Sequence, residues 1–135
     1  ELVEGSELKI NFVDFPDIAQ TVAVTCAALN VKAKLTGLKT LRIKETDRII
    51  ALQTELIKFG YSIDVEGDDI VINSSSAPIE FKQSVNTYDD HRMAMAFAPL
   101  SILQEITIED ENVVSKSYPN FWKDLEGLGS LFARV

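Results

Sequence analysis

The sequence predicts a mixed α/β domain assembled from repeated β-α-β-α-β-β units. Short alternating apolar segments, typical of strands, are interleaved with segments of helical periodicity along most of the chain. Two glycines, Gly60 and Gly129, end corresponding predicted helices, which indicates a repeat of roughly 70 residues. The 135 residues, 46% of them hydrophobic, are enough for one domain with a real core.

The first predicted unit occupies approximately residues 8–76. A strand, a helix, a strand, a helix and a hairpin follow one another at residues 8–13, 14–30, 31–38, 44–59 and 62–73. Pro16 suits the first turn of the first helix, where we expect Ile18, Val22 and Cys26 to form one apolar stripe. Helix 44–59 has the clearest apolar periodicity, and Gly60 ends it.

The second predicted unit occupies approximately residues 77–135 and begins in the same way. Its strands lie at 79–83 and 106–109, and its helices at 89–103 and 118–128. The joint at residues 74–78 is too short to be a flexible linker, so we expect a single domain.

Composition excludes several functions. Thirteen basic residues against 21 acidic ones give a net charge of −8, which argues against a nucleic-acid or anionic-membrane surface. The longest apolar stretch, 93–103, contains Pro99 and is too short to span a membrane. Cys26 is the only cysteine and one histidine is present, so neither an internal disulfide nor a common zinc site is expected. Because Glu1 comes first and no signal peptide follows, we expect a cytoplasmic chain cut from a longer protein.

Lys44, Glu45 and Arg48 form a first charged cluster, at the predicted start of helix 44–59. Lys44 and Arg48 are four residues apart, so one helix face would carry both. Together with the free N–H groups and the dipole of that helix end, they would form an anion site. The alternative is a solvated surface with the common and weak pairs Glu45–Arg48 and Lys44–Asp47.

His91 and Arg92 form a second cluster, in the first turn of the predicted helix 89–103. Asp89 or Asp90 would cap that helix, and a capped surface helix is the alternative interpretation. Strand-to-helix junctions of layered α/β units tend to share one edge, so we expect these clusters to converge. Such a set fits an anionic small substrate and acid–base groups without a metal.

Two further residues lie at the remaining junctions. Asp17, in the first helical turn, and Lys116, before helix 118–128, are each unremarkable alone. At a shared edge, Asp17 would add a carboxylate and Lys116 a fourth cation to the same site.

These motifs resemble those of the 5-enolpyruvylshikimate-3-phosphate synthase family. The resemblance is carried by Lys-Glu-Thr-Asp-Arg at 44–48 and Asp-Asp-His-Arg-Met-Ala-Met at 89–95. Phe-Pro-Asp at 15–17 and Lys-Ser-Tyr-Pro at 116–119 match the family pattern in the same order. The resemblance implies transfer of the enolpyruvyl group of phosphoenolpyruvate to the 5-hydroxyl of shikimate-3-phosphate. This reaction belongs to the biosynthesis of aromatic amino acids and needs no cofactor.

The family fold implied by the resemblance has two domains, each built from three β-α-β-α-β-β units. Residues 1–135 would then be a partial domain, about two of the three units of the second domain, and the N-terminal domain would be missing. Because the family's site lies between the domains, we expect the isolated chain to be inactive.

The resemblance also implies a role for each candidate residue. Asp17 and Glu45 would be the catalytic carboxylates, Asp17 toward the accepting hydroxyl and Glu45 toward the methylene carbon. The implied shikimate-3-phosphate ligands are Asp17, Thr40 and Lys44. The implied phosphoenolpyruvate ligands are Arg48, Arg92 and Lys116, with His91 as an accessory residue.

Two other functions compete with this one. The related transferase acting on UDP-N-acetylglucosamine uses a reactive cysteine, and Cys26 on an apolar helix stripe does not fit that role. A non-catalytic α/β binding module is the third hypothesis. It predicts that Asp17, Glu45 and Arg48 tolerate substitution.

Overall fold

Seven strands and four α-helices alternate along the described chain. The computed structural model describes residues 6–73, 82–129 and 132–134. The strands are β1 (Leu8–Asn11), β2 (Ala33–Thr36), β3 (Ile63–Glu66), β4 (Asp69–Ile72), β5 (Gln83–Val85), β6 (Ile106–Ile108) and β7 (Phe132–Arg134). The helices are α1 (Ala19–Ala28), α2 (Arg48–Lys58), α3 (His91–Phe97) and α4 (Phe121–Glu126).

The strands form two separate sheets. The first has the order β1-β2-β4-β3, in which β1 and β2 are parallel and β4 runs antiparallel to both neighbours. The second has the order β5-β6-β7 and is parallel throughout. The mixed α/β class and the β-α-β-α-β-β order of the first half are therefore confirmed, whereas β7 was not predicted.

The hydrophobic core joins the helices of both halves. α1 packs against α3, and the rings of Phe59 and Phe97 stack with centroids 6.0 Å apart. The predicted stripe on α1 is wrong in part, because Ile18 is exposed and the buried positions include Ala19 and Ala23. These small side chains let the helices approach closely, which apolar spacing alone does not reveal.

The largest correction concerns the start of α2. Helix 44–59 was predicted, but a 3-10 segment occupies Lys39–Ile43 and α2 begins only at Arg48. The Asp47 carboxylate caps α2 by accepting from the backbone N–H groups of Ile49 and Ile50, at 3.1 and 3.3 Å. Lys44 therefore precedes the helix and does not share a helix face with Arg48.

The second half also differs from its predicted boundaries. Residues 79–81 of the predicted strand lie outside the described residues, and β5 shares only Gln83 with it. Helix 89–103 becomes α3 followed by a 3-10 segment at Ala98–Ile102. Helix 118–128 is reduced to α4. None of the helices in the described parts of the chain has the length and apolar character needed to cross a bilayer.

Gly37 holds the end of β2 close to the end of β1. It has a φ of +73°, and an added Cβ would lie 2.3 Å from Asn11 Oδ1 and 2.6 Å from the backbone N of Val13. Gly67, in the β3–β4 turn, has a φ of +64° but nothing within 4 Å of the position that a Cβ would take.

We expect Gly37→Ala to lower the free energy of unfolding by about 1–3 kcal/mol more than Gly67→Ala, because only Gly37→Ala adds steric overlap to backbone strain. Urea unfolding of both variants measures this difference, and equal losses would contradict the close approach.

Candidate active site

Charged side chains from three helix starts meet at one edge of the molecule. Asp17 lies in the 3-10 turn at Pro16–Ile18 that precedes α1, and Lys44 and Glu45 lie in the segment that leads into α2. Asp90 caps α3, whose first residues are His91 and Arg92. Ion pairs from Asp17 to Lys44, Arg48 and Arg92 join the three starts into a common surface.

Arg48 is the centre of this cluster. Only 2% of its side chain is exposed, and its guanidinium contacts three carboxylates. Nε and Nη2 donate to the two oxygens of Asp90 at 2.7 and 3.0 Å. Nη1 donates to Asp17 at 3.1 Å, and Nη2 also donates to Glu45 at 2.7 Å. The planar fork of arginine suits this bidentate arrangement, which fixes the plane of the guanidinium.

Asp90 connects Arg48 to the second half of the fold. Its side chain is completely buried, and besides Arg48 it accepts a hydrogen bond from the backbone N–H of Arg92 at 2.9 Å. One carboxylate thus caps α3 and neutralises a buried cation. The position of Arg48 and the start of α3 are consequently fixed relative to each other.

Asp17 lies among three cations. Its Oδ1 is 3.5 Å from Lys44 Nζ and 3.1 Å from Arg48 Nη1, and its Oδ2 is 3.9 Å from Arg92 Nη2. Partial burial by itself raises the pKa of Asp17, but the charges of Lys44, Arg92 and Arg48 together outweigh burial and lower that pKa below its usual value. Asp17 is therefore ionised at neutral pH and accepts hydrogen bonds.

Glu45 and Asp17 are the two accessible carboxylates of the cluster, each with 44% of its side chain exposed. A hydrogen bond from its own backbone N–H is the largest cause that lowers the pKa of Glu45, and partial burial opposes it. The charges of Arg48, His91 and Lys44 lower the same pKa further. The site thus favours the ionised form of Glu45.

The lowered pKa of Asp17 makes one contribution to stability depend on pH. A carboxyl group whose pKa is lower in the folded state stabilises the fold above its unfolded pKa, about 3.9 for aspartate. That stabilisation is lost as the pH falls through the lower, folded pKa. We expect the difference in free energy of unfolding between the wild type and Asp17→Asn to shrink between about pH 5 and pH 2. Urea unfolding over this pH range measures the difference between the two proteins. A difference that is constant with pH would contradict stabilisation by the ion pairs of Asp17.

Thr40, Lys116 and His91 complete the set predicted from the sequence. Thr40 lies exposed on the 3-10 segment Lys39–Ile43, and His91 lies half-buried beside Glu45. Lys116 is not part of the ion-pair cluster; it lines an adjoining open cleft of about 290 Å³ together with Asp89 and Asp110. Ion pairs therefore join Asp17, Lys44, Glu45, Arg48 and Arg92 into one cluster, whereas Lys116 lines the adjoining cleft.

Glu45, Asp90 and His91 offer ligand atoms that all lie within 4.8 Å of one another. Both oxygens of Asp90 already accept hydrogen bonds from Arg48. A metal ion at this point would be repelled by the buried guanidinium. These three residues of the described chain therefore do not fit a cation site.

Two features of the cluster were missed by the sequence interpretation. Asp90 was expected only to cap a helix, and its contact with Arg48 joins residues 42 positions apart. Of the two pairs in the alternative interpretation, Glu45–Arg48 forms at 2.7 Å, whereas Lys44–Asp47 was wrong, because Asp47 caps α2 and pairs with Arg42 at 3.0 Å while Lys44 pairs with Asp17. Three cations thus face three carboxylates, so the site is close to neutral before a substrate binds.

The surroundings of Cys26 bear on the competing transferase. Cys26 is buried in α1 within the hydrophobic core, and burial raises the pKa of its thiol. A raised pKa and an apolar environment are the opposite of what a reactive thiolate requires. Cys26 is therefore a core residue.

Comparison with known proteins decides the family. The family model described as EPSP synthase (3-phosphoshikimate 1-carboxyvinyltransferase) matches residues 3–125. The chain belongs to the EPSP synthase family. All the candidate residues, from Asp17 to Lys116, lie within the matched range.

Relatives and a solved structure agree with this assignment to the EPSP synthase family. A 3-phosphoshikimate 1-carboxyvinyltransferase of Bacteroides fragilis is 49% identical over 126 residues, which are 88% of this chain and 30% of the relative. One of Archaeoglobus fulgidus is 35% identical over 135 residues, covering 98% of this chain and 32% of the relative. A solved EPSP synthase from Acinetobacter baumannii superposes with a TM-score of 0.64 at 25% identity, covering 90% of this chain and 28% of that one. The chain thus spans about 30% of the length of these EPSP synthases.

Proposed function

We propose that this chain forms one wall of the active site of an enzyme that transfers the enolpyruvyl group of phosphoenolpyruvate to the 5-hydroxyl of shikimate-3-phosphate. The observation that carries the proposal is the buried Arg48, held by Asp17, Glu45 and Asp90 at the meeting point of three helix starts. Membership of the EPSP synthase family and the names of the relatives support the same reaction.

The cations would bind the anionic groups of phosphoenolpyruvate. In the cluster, Arg48 and Arg92 lie beside Asp17, and Lys116 lines the adjoining cleft. A bound carboxylate or phosphate would compete with Asp17 and Glu45 for these cations, because charge-assisted contacts to an anion are of similar strength. Oriented cations also stabilise the charge that develops during addition.

Asp17 would accept a proton from the 5-hydroxyl, and Glu45 would exchange a proton with carbon 3 of phosphoenolpyruvate. Oxygen 5 of shikimate-3-phosphate forms a bond to carbon 2 of phosphoenolpyruvate, its proton passes to Asp17, and a proton from Glu45 enters at carbon 3. The tetrahedral intermediate then loses a proton from carbon 3 to Glu45 and expels phosphate, which takes up the proton held by Asp17. The vinyl group is thereby restored, and both carboxylates return to their starting states. Lys44, 3.5 Å from Asp17, together with the exposed Thr40, would bind shikimate-3-phosphate, and His91 would assist beside Glu45.

Binding of the anionic substrates would raise the pKa of Glu45 and so prepare it to donate a proton. The hydrogen bond from its own backbone N–H and, after it, the charges of Arg48, His91 and Lys44 lower the pKa of Glu45. An anionic substrate that engages Arg48 and Lys44 cancels part of their charge and adds negative charge nearby, so it raises that pKa. The higher pKa favours the protonated form of Glu45, from which a proton can pass to carbon 3.

The remaining parts of the enzyme would come from outside these residues. The chain covers about 30% of its relatives, so a complete site would need the rest of the second domain and the N-terminal domain. We infer that residues 1–135 alone are inactive and that the enzyme works in the cytoplasm without a cofactor or metal. The two β-α-β-α-β-β units, approximately 8–76 and 77–135, would be two of the three units of its domain.

A chimaera tests this function. In it, residues 1–135 replace the aligned segment of the 3-phosphoshikimate 1-carboxyvinyltransferase of Bacteroides fragilis, to which they are 49% identical. We expect the chimaera to release phosphate from phosphoenolpyruvate only when shikimate-3-phosphate is present, and residues 1–135 alone to release none. A chimaera that melts cooperatively like the parent enzyme but lacks turnover would refute the proposal.

A further inference from the structure

Glu55 is a buried carboxylate that the proposed chemistry does not use. It lies on α2, its side chain is completely buried, and both of its oxygens are occupied. Oε1 accepts from the Tyr88 hydroxyl at 2.8 Å, and Oε2 accepts from the backbone N–H of Asn86 at 3.3 Å and forms an ion pair with Lys58 Nζ at 2.6 Å. Lys58 Nζ also donates to the backbone carbonyl of Ser84 at 3.3 Å. Glu55 thus attaches α2 to the segment between β5 and α3.

The segment that Glu55 holds has an unusual backbone. Tyr88 and Asp89 both have a φ of 55°, in the left-handed region that side chains other than glycine rarely adopt. Two such residues in succession persist only where the surroundings determine the conformation. The turn ends at Asp90, so its path sets where the Asp90 carboxylate meets Arg48 and where His91 and Arg92 begin α3.

Glu55 and Arg48 contact this segment from one face of α2. They are seven residues apart, which is about two helical turns, or roughly 10 Å along the axis. Leu52, between them on that face, is completely buried. One contact would leave the segment free to pivot, whereas the contacts Arg48–Asp90 and Glu55–Tyr88 fix both its position and its rotation.

We propose that Glu55 is a positioning residue, which holds residues 86–90 so that Asp90, His91 and Arg92 stand correctly against Arg48. The proposal deepens the proposed function and rests on it for its kinetic consequences. Burying a carboxylate costs desolvation that its half-buried partner Lys58 repays only in part, so the burial of Glu55 is better explained by the position it imposes on residues 86–90. Burial and the neighbouring Glu55 raise the pKa of Tyr88 to about 12, which keeps its hydroxyl a donor.

The first test measures hydrogen exchange in residues 1–135. In Glu55→Gln an NH2 group replaces one of the two oxygens that accept from Tyr88 and Asn86, and the negative charge beside Lys58 is lost, so the attachment of the segment weakens. We expect the Arg48 Nε–H to exchange at least about tenfold faster, while the backbone amide of Leu52 keeps its protection. Tyr88→Phe, which removes only a hydroxyl, should give the same effect more weakly. Glu66→Gln, which breaks the exposed pair with Lys34, is the matched control and should change neither rate.

The second test is kinetic and uses the chimaera. We expect Glu55→Gln to raise KM for phosphoenolpyruvate about tenfold or more, because small displacements of binding groups are costly, and to leave KM for shikimate-3-phosphate within about twofold. An unchanged Arg48 exchange rate, equal acceleration at Arg48 and Leu52, or equal changes in both KM values would overturn the positioning role. An inactive wild-type chimaera would count against the proposed function alone, and the exchange rates would then decide the role of Glu55.

Discussion

Replacing Glu45 with glutamine in the chimaera is expected to lower turnover by about 10²–10⁴-fold, with both KM values nearly unchanged. Glutamine has the size of glutamate, and its carbonyl oxygen can still accept the hydrogen bond that Arg48 Nη2 gives to Glu45 at 2.7 Å. It cannot donate a proton to carbon 3 of phosphoenolpyruvate or take one back. The loss therefore falls on the chemical step, and steady-state phosphate release measures it.

The control for this substitution is Glu105→Gln. Glu105 is an exposed carboxylate that pairs with Lys82 at 2.8 Å, and its pair lies outside the cluster around Arg48. Its replacement should leave turnover within about twofold, as surface ion pairs contribute little. If Glu45→Gln retained the turnover of the control, Glu45 would have no part in proton transfer. If it raised both KM values strongly instead, Glu45 would be a binding residue.

Local signals account for the parts of the fold that the sequence predicted. The apolar spacing of α2 was correct, since Ile49, Leu52 and Leu56 are all completely buried. Gly60, just after α2, has the positive φ expected of a residue that ends a helix. Periodicity and helix-end glycines depend on near neighbours only, so one sequence suffices to read them.

The fold elements that were missed depend on distant contacts. β7 has only three residues, too few to show a periodicity of its own, and is defined by its pairing with β6. The start of α2 was placed too early because Lys44 and Glu45 are good helix formers. In the structure they make ion pairs with Asp17 and Arg48 from a segment outside the helix. Tertiary pairing thus overrode local helix propensity.

The convergence of several charged residues at one edge was predictable from the sequence, whereas the charge balance of the cluster was not. Strand-to-helix junctions placed Asp17, Lys44 and Arg92 at one edge, and the structure brings them together. The expectation of concentrated positive charge failed because Asp90 balances Arg48. A charged residue is exposed by default, and no local pattern reveals that Arg48 is buried against a residue 42 positions away.

Asp90→Ala is expected to lower the free energy of unfolding of residues 1–135 by about 3–5 kcal/mol. The change removes the two contacts at 2.7 and 3.0 Å to Arg48, a guanidinium with only 2% of its side chain exposed. It also removes the cap on the backbone N–H of Arg92. Asp17 and Glu45, each 44% exposed, are too well solvated to replace a buried partner. Urea unfolding monitored by circular dichroism measures the loss.

Asp47→Ala is the matched control, because Asp47 also caps a helix but pairs with Arg42, whose side chain is 29% exposed. Loss of that cap should cost only about 1 kcal/mol. The double variant Asp90→Ala with Arg48→Met separates the two parts of the Asp90 effect. Removing the buried charge should recover most of the loss, leaving mainly the missing cap of α3. Equal losses in Asp90→Ala and Asp47→Ala, or no recovery in the double variant, would show that Arg48 does not depend on Asp90 for its burial.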